Sequence, residues 1–225
     1  MKIIVTGSHG IVGKQIVKDL KKNSRIKVVE LDIKLGHDLT NETDVIQIFR
    51  KIKGDALINC FVINHHVKKN INEKINFLNY TLENFSSTLN VNVIALFSVC
   101  REFIKNNSRG KIINFSSIYG YRSPSPSLYE GNHKNPAYGV SKAAVSNLTK
   151  YLAVHAPKFN INCIVPGGIE NKQPKSFKIK YAKDLPIPRM MKKNEIFGLV
   201  KFLLSKDSAY CTGSEFFIDG GWNAR

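Results

Sequence analysis

Cysteine is scarce in this 225-residue chain, and its placement excludes two kinds of site. The four cysteines lie far apart, with no Cys-x-x-Cys pair: Cys60, Cys100, Cys163 and Cys211. A zinc site or a disulfide framework needs closely spaced or paired cysteines. We therefore expect no metal site, and reduced, buried thiols of the kind found in cytoplasmic proteins.

Acidic residues are also few, since 17 Asp and Glu stand against 34 Lys and Arg, which gives a net charge of +17. A strongly basic balance is one sign of a nucleic-acid-binding protein. Here the charge is mostly lysine and is scattered from Lys2 to Lys206. We therefore expect no nucleic-acid partner.

Long hydrophobic segments are missing as well. A membrane-spanning helix needs about 20 apolar residues, and we expect none of the apolar runs to span a bilayer. The chain starts almost at once with an apolar run typical of a buried strand, without a basic-then-apolar leader. These features predict a cytoplasmic protein with no membrane partner.

Short apolar runs alternate with helical patterns along the chain. This alternation predicts one α/β domain over residues 1–225, a doubly wound, Rossmann-like parallel sheet with helices on both faces. The predicted strands are Lys2–Val5, Lys27–Leu31, Ala56–Phe61, Lys111–Phe115, Asn160–Val165 and Glu215–Ile218. The predicted helices are Gly10–Lys21, Asp44–Ile52, the amphipathic stretch Leu82–Asn106, Ala137–His155 and Asn194–Leu204.

One connection is too short for this pattern. Only five residues separate Asp32 from Asp38. A crossover to the next parallel strand needs a dozen residues or more. The segment after the second strand is therefore shortened, and either a helix is missing or the third strand is vestigial.

A glycine-rich turn, Thr6-Gly-Ser-His-Gly-Ile-Val-Gly13, joins the first predicted strand and helix. Glycine permits a tight turn and lets backbone N–H groups approach a pyrophosphate, which a helix N-terminus also attracts. Asp32 ends the second strand about 20 residues later, where a carboxylate accepts hydrogen bonds from ribose hydroxyls. The spacing predicts a dinucleotide site. NAD is favoured because Asp32 would repel a 2′-phosphate, whereas Lys34 could reach that phosphate and keeps NADP possible.

Tyr138-Gly-Val-Ser-Lys142 is the only Tyr-x-x-x-Lys in the chain. The spacing places the two side chains one turn apart on one face of the predicted helix. A tyrosine with a pKa near 10 is a poor base at neutral pH, and a neighbouring cation favours the phenolate. The pair therefore predicts a proton-transfer site.

With these motifs the chain resembles the short-chain dehydrogenase/reductases over nearly its full length. The similar segments are the glycine turn, Val91–Phe97, Ile112–Gly120, Tyr138–Lys142, Pro166–Ile169, Phe202–Ser205, Thr212-Gly213 and Asp219–Gly221. The resemblance implies an NAD(P)-dependent oxidoreductase whose catalytic tetrad is Asn92, Ser117, Tyr138 and Lys142. In that family the tyrosine transfers a proton and the lysine lowers its pKa and binds the nicotinamide ribose. The serine steadies the substrate oxygen, and the asparagine holds a water.

The resemblance also completes the expected cofactor site around the glycine turn and Asp32. That site comprises Gly7, Ser8, His9, Gly10, Ile11, Val12, Gly13, Asp32, Asp38, Leu39, Asn59, Cys60, Tyr138, Lys142, Pro166, Gly167 and Ile169.

The chain departs from the family pattern in three places. Its glycines are spaced Gly-x-x-Gly-x-x-Gly instead of the commoner Gly-x-x-x-Gly-x-Gly. Asn59-Cys-Phe-Val62 stands where the family has Asn-Asn-Ala-Gly, so Phe61 and Val62 should reshape the wall beside the nicotinamide. The shortened segment leaves the adenine side more open, with Asp38 as the candidate for contacting the adenine.

A narrower likeness concerns the substrate. The segments Ser117–Gly120, Leu128–Gly131 and Pro166–Pro174 resemble bacterial dehydrogenases of the flagellin-modification and acylneuraminate clusters, which implies a sugar or nucleotide-sugar substrate. The segments Val62–Tyr80 and Glu170–Met190 should lie over the mouth of the site as loops. Their cations predict an anionic substrate: His65, His66, Lys68, Lys69, Lys172, Lys175, Lys178, Lys180 and Lys183.

Two other functions remain open. The chain could be a generic carbonyl or 3-oxoacyl reductase, or a catalytically idle family member that only binds a dinucleotide. Leu82–Asn106 and Ala143–His155 resemble the helices at which subunits of the family meet, so we also expect a homodimer or homotetramer.

Overall fold

The computed structural model describes residues 1–64, 77–129, 133–183 and 185–224. Within these ranges six parallel strands form one sheet in the order β2-β1-β3-β4-β5-β6. The strands are β1 Lys2–Thr6, β2 Lys27–Leu31, β3 Ala56–Asn59, β4 Gly110–Phe115, β5 Phe159–Pro166 and β6 Glu215–Ile218. The predicted α/β class and parallel sheet are confirmed, and each strand ends within two residues of its predicted bounds.

Helices cover both faces of the sheet. They are α1 Ile11–Leu20, α2 Glu42–Lys51, α3 Leu82–Leu89, α4 Leu96–Asn106, α5 Pro136–His155, α6 Lys175–Ala182 and α7 Ile196–Leu204. A π-helical turn, Asn90–Ala95, joins α3 to α4 without a break. The predicted helices are therefore present, and the long amphipathic stretch is one continuous helical segment.

Helix α6 corrects the expectation of a loop over residues 170–190. Three of the eight residues of α6 are lysines, which alternate with its apolar residues, so the helix lacks a broad apolar stripe. Tyr181 nevertheless packs with Leu185, Met190 and Trp222 in a small hydrophobic cluster, and Phe177 lies against it. These tertiary contacts stabilise a helix that local pattern does not predict.

Strand alternation explains why the core has two halves. Ile4 belongs to the hydrophobic cluster on one face of the sheet, while Ile3 and Val5 belong to the cluster on the other. All three side chains are fully buried. Burial of such a side chain contributes about 1.5–3 kcal/mol relative to leaving it in water.

The short segment after β2 contains a single 3₁₀ turn, Ile33–Leu35, which Asp32 caps. Gly36 ends the turn with a φ of 83°, a conformation that glycine adopts without strain. The chain then runs to α2, and in the described ranges no strand lies outside β2. The doubly wound order 3-2-1-4-5-6 has a strand there. Both the crossover helix and the strand are thus missing from residues 33–41.

The continuous segment Leu82–Asn106 is, by length and composition alone, able to cross a membrane. This corrects the expectation that no apolar segment is long enough. Half of its most apolar stretch is buried inside the domain, however, and Val99 and Phe103 are fully buried. The segment packs as a core helix of the α/β fold.

We predict that Gly13→Ala destabilises the protein by about 1–3 kcal/mol, the usual cost of overpacking. Gly13 lies in α1, and a Cβ atom there would overlap the backbone of Gly7 and come within 2.9 Å of the Ser8 Cα. Gly198→Ala in α7 is the matched control, because nothing lies within 4 Å of its added Cβ. Thermal unfolding measures both, and an unchanged midpoint for Gly13→Ala would contradict this packing.

Candidate active site

A cavity of about 950 Å³ opens at the edge of the sheet where the parallel strands have their carboxyl ends. Its walls come from the loops that follow β1, β2, β3, β4 and β5. The chain leaves β1 for β2 on one side and reaches β3 on the other, so the winding direction reverses between β1 and β3. Open α/β sheets bind their ligands at this point.

The glycine turn forms one end of the cavity. Gly7 has a φ of 62°, and a Cβ atom on it would overlap the backbone of Phe61. Gly10 is the N-cap of α1 and has no side chain with which to cap the helix, and the first turn of α1 has no acidic residue. The first N–H groups of α1 therefore remain free of a capping side chain, as a pyrophosphate-binding helix requires.

Asp32 links the glycine turn to the shortened segment. Its carboxylate accepts hydrogen bonds from the backbone N–H groups of His9 (2.9 Å) and Lys34 (3.0 Å), and it lines the cavity. Asp38 lies farther along the same wall, where hydrogen bonds from the Thr40 side chain and backbone hold the pKa of its carboxyl below the usual value. Both carboxylates thus line the same cavity as the glycine turn.

The opposite end of the cavity is built by a clamp between β4 and α5. Lys142 Nζ donates a hydrogen bond to the Phe115 carbonyl oxygen (2.7 Å). Ser116 Oγ in turn donates to the Lys142 carbonyl oxygen (2.7 Å). Ser117 follows directly, and its hydroxyl accepts a hydrogen bond from Tyr119 N–H (3.2 Å). The clamp brings Ser117, Tyr138 and Lys142 to one wall of the cavity.

The electrostatics of this wall are set mainly by burial. Burial lowers the pKa of Lys142 to about 8. Burial also raises the pKa of Tyr138 above its ordinary value, and the neighbouring Ser117 hydroxyl opposes this effect. The expectation that Lys142 lowers the pKa of Tyr138 is therefore not met in the protein alone. The Lys142 ammonium lies 5.8 Å from the centre of the Tyr138 ring and donates a hydrogen bond to the Phe115 carbonyl oxygen.

Asn92 lies behind the cavity wall, in the π-helical turn. Its amide donates to Ser141 Oγ (3.0 Å) and to the Ile63 carbonyl oxygen (3.0 Å), and it accepts from Ile63 N–H (2.9 Å). These bonds fix the loop after β3, in which Ile63 faces the cavity. π-Helical turns inside α-helices are frequent at functional sites.

Asn59 is also outside the cavity lining. Its side chain accepts from Thr6 Oγ1 (2.9 Å) and donates to Asn114 Oδ1 (2.9 Å), within a buried network between the strands. Among the residues predicted for the site, the following four are not in the lining: Ser8, Gly13, Asn59 and Asn92. The others all line the cavity: Gly7, His9, Gly10, Ile11, Val12, Asp32, Asp38, Leu39, Cys60, Ser117, Tyr138, Lys142, Pro166, Gly167 and Ile169.

Aromatic residues enclose the space beyond Tyr138, which residue patterns alone did not predict. The hydroxyls of Tyr119 and Tyr129 are 2.7 Å apart, and the Tyr129 ring packs edge-on against Phe177 of α6 at 5.8 Å. Lys134 also lines this space. The position of residues 119–136 after the carboxyl end of β4 is the only sequence signal for this wall.

The lysines of α6 and its flanks are not part of the cavity lining, although α6 itself is. Lys178 forms an ion pair with Glu170 (2.6 Å), and Lys172, Lys175 and Lys183 are exposed. The expectation that their charge attracts an anionic substrate to the mouth of the site stays a prediction. Their four counterparts in the segment after β3 lie outside the described residues: His65, His66, Lys68 and Lys69.

Residues 2–223 match the protein family described as Enoyl-(Acyl carrier protein) reductase. Among curated proteins, the post-translational flagellin modification protein A of Campylobacter coli is 28% identical, over 98% of this chain and 97% of its own. The 3-oxoacyl-(acyl-carrier-protein) reductase of Buchnera aphidicola is 27% identical, over 97% and 95% of the two chains.

A solved structure gives the same result at the level of the fold. The short chain dehydrogenase of Leptospira borgpetersenii, determined with bound NAD+, superposes with a TM-score of 0.83 at 28% identity, over 98% of this chain and 92% of its own. The family match, the sheet order and the wall formed by Ser117, Tyr138 and Lys142 lead to one conclusion. The chain belongs to the short-chain dehydrogenase/reductase family of NAD(P)-dependent oxidoreductases.

Proposed function

We propose that this chain transfers a hydride between NAD(H) and a hydroxyl or ketone carbon of a sugar derivative. The proposal rests on one cavity that is lined by two groups of residues. The glycine turn and Asp32 lie at one end, and Ser117, Tyr138 and Lys142 lie at the other. The residues at one end suit the binding of a dinucleotide, and those at the other end suit proton transfer to or from a substrate. An idle dinucleotide-binding protein would not need the second end.

The residues of the β4–α5 wall divide the chemistry between them. When bound, the nicotinamide ring accepts or supplies the hydride. Tyr138 exchanges a proton with the substrate oxygen, and Ser117 donates a hydrogen bond to that same oxygen. Lys142 binds the nicotinamide ribose and provides positive charge near Tyr138. General acid–base catalysis of this kind contributes typically about 10² to 10⁴ in rate.

The proposed cofactor preference rests on Asp32. The carboxylate lies beside the glycine turn, held by the N–H groups of His9 and Lys34. A second negative charge from a 2′-phosphate would be repelled there, so NAD is preferred to NADP. The bound NAD+ in the Leptospira relative supports the same choice.

The proposed substrate class rests on similarity and on the shape of the cavity. The similarity to a flagellin modification protein supports a sugar or nucleotide-sugar derivative. The similarity to a 3-oxoacyl-(acyl-carrier-protein) reductase supports the alternative, an acyl thioester or a simple ketone. Phe61 and Val62 line the cavity and are bulkier than the Ala and Gly of the family pattern, which favours a compact substrate over a long acyl chain.

We further propose a cytoplasmic homodimer or homotetramer. Large apolar side chains are exposed along the helices that resemble the family's contact helices: Leu82, Ile94, Phe97, Val140, Tyr151 and Val154. Exposed apolar patches of this kind mark association surfaces. Closed symmetric assemblies are also the usual state of soluble enzymes.

Tyr138→Phe should reduce kcat by at least about 10²-fold and leave the affinity for NAD nearly unchanged, because it removes only the proton-transferring hydroxyl. Steady-state kinetics and calorimetric titration with NAD measure the two effects. Tyr151→Phe is the matched control, since Tyr151 lies on the same helix and is 56% exposed. A Tyr138→Phe enzyme with near-native kcat would overturn the catalytic assignment.

Asp32→Asn should weaken NAD binding by about 10- to 100-fold, the usual value of a hydrogen bond to a charged group. It should also narrow the preference for NAD over NADP, because the charge that repels a 2′-phosphate is lost. Titration with both cofactors measures the ratio, with Asp207→Asn, an exposed site on another edge, as the control. Tighter binding of NADP than NAD by the unaltered protein would assign the choice to Lys34 instead.

The association state can be checked separately. Sedimentation velocity should give two or four times the chain mass of 25.3 kDa. Val154→Lys, placed at a side chain that is 75% exposed, should shift the assembly towards smaller species. A particle of one chain mass at all concentrations would contradict the proposed assembly.

A further inference from the structure

Lys134 is a cation of the cavity that the proposed chemistry does not use. It lies four residues before Tyr138, and its Nζ is 5.1 Å from the centre of the Tyr138 ring. It lines the cavity, together with Tyr129 and Phe177. Lys142, which lies 5.8 Å from the same ring centre, already donates to the Phe115 carbonyl oxygen. Lys134 has no such polar acceptor among the described residues.

The backbone at Lys134 is fixed by the start of α5. The neighbouring Asn135 is buried, and its side chain caps the helix by accepting a hydrogen bond from Tyr138 N–H (3.3 Å). The same cap therefore holds both Lys134 and Tyr138 at a constant spacing.

Within the described ranges, no carboxylate lies near the Lys134 ammonium to balance its charge. Among the described residues, the carboxylates that line the cavity are Asp32 and Asp38, and both lie after β2 at the far end. Burial lowers the pKa of Lys134 to about 8, and no acidic group among the described residues opposes this effect. A half-buried cation that rests over an aromatic ring is stabilised further when it meets an anion.

We propose that Lys134 binds a carboxylate of the substrate, and that this enzyme therefore acts on hydroxy acids or oxo acids. The inference rests on the proposed function and adds the substrate's anionic group to it. Because Lys134 lies so close to Tyr138, the carboxylate must be within a few bonds of the carbon that exchanges the hydride. A single ammonium among aromatic rings suits a compact monoanion rather than a phosphate, which needs several donors.

This geometry separates the proposal from two alternatives. A 3-oxoacyl thioester carries its negative charge on the carrier, far from the reacting carbon and therefore far from Lys134. A simple ketone has no anion for Lys134 at all. Both alternatives predict that Lys134 can be neutralised without loss of substrate affinity.

The test uses the NAD-loaded protein and pairs of probes that differ only at the carboxylate: D-gluconate with D-glucitol, and D-galacturonate with D-galactose. Binding is measured by calorimetry in the presence of NADH, and oxidation is measured with NAD+. We expect the hydroxy acid of at least one pair to bind more tightly than its neutral partner. Lys134→Gln should raise its KM or dissociation constant by about 10- to 100-fold with a smaller change in kcat.

Two further variants make the result specific. Lys134→Arg keeps the charge and should retain most of the affinity for the hydroxy acid, whereas loss of packing alone would not be rescued by arginine. Lys201→Gln, an exposed residue of α7, removes the same charge elsewhere and should change nothing. For the neutral partner, Lys201→Gln should match the unaltered protein, and Lys134→Gln should change the KM or dissociation constant much less than it does for the hydroxy acid.

Four outcomes would overturn the proposal, and the last of them would overturn the proposed function as well. In the first, no hydroxy acid binds the NADH-loaded protein more tightly than its neutral partner. In the second, Lys134→Gln lowers kcat for acid and neutral probes equally, which would make Lys134 a positioning residue for Tyr138. In the third, the protein oxidises neutral alcohols with NAD and substitution of Lys134 has no effect; the proposed function would then stand, and only the carboxylate site would be wrong. Failure to bind NAD(H) would overturn both.

Discussion

The reciprocal hydrogen bonds between Lys142 and the end of β4 are the constraint on which the site depends. The Lys142 ammonium donates to the Phe115 carbonyl oxygen, while the Lys142 carbonyl accepts from Ser116 Oγ. One bond ties the side chain of α5 to the strand, and the other ties its backbone. The two bonds together hold α5 in register with the end of β4. The positions of Ser117 after the strand and of Tyr138 one turn earlier on the helix follow from this.

The same clamp holds two ionisable side chains where their charged forms are energetically unfavourable. Burying Lys142 lowers its pKa to about 8, and burying Tyr138 raises the pKa of its hydroxyl. Both shifts reflect charged forms that the interior solvates poorly. A protein optimised only for stability would replace both residues by apolar ones. Their presence in the cavity wall indicates that the position is kept for chemistry, and conflicts of this kind are expected at functional sites.

The sheet could be predicted from the sequence because its signals are strong and local. Side chains of apolar runs such as Ile3-Ile4-Val5 point alternately to two buried faces of the sheet. The glycine spacing marks the turn between the first strand and the first helix. The missing strand after β2 was visible as a connection that is too short. Helix α6 escaped prediction because lysines interrupt its apolar pattern and because Phe177 and Tyr181 pack against residues from other segments.

The residues of the site were harder to place than the elements. Asn59 and Asn92 are of the expected residue types, but their side chains make buried hydrogen bonds outside the cavity lining. Sequence spacing does not show whether a side chain points into the cavity or away from it. The charged groups show the same limit. Composition pointed to the many lysines of residues 170–190, whereas Lys134 was one lysine in an unremarkable loop. Only the packing of Asn135 and Tyr129 around it shows that it faces the cavity.

The central claim is that one cavity holds NADH with its nicotinamide beside the β4–α5 wall. Trp222 is the only tryptophan of the chain, and its ring stacks 4.8 Å from Tyr181, which lines that part of the cavity. Energy transfer from Trp222 to NADH therefore measures the claim directly. The account predicts that titration with NADH quenches Trp222 emission, produces sensitised NADH emission and saturates at one NADH per chain. Absence of transfer at saturating NADH would contradict it.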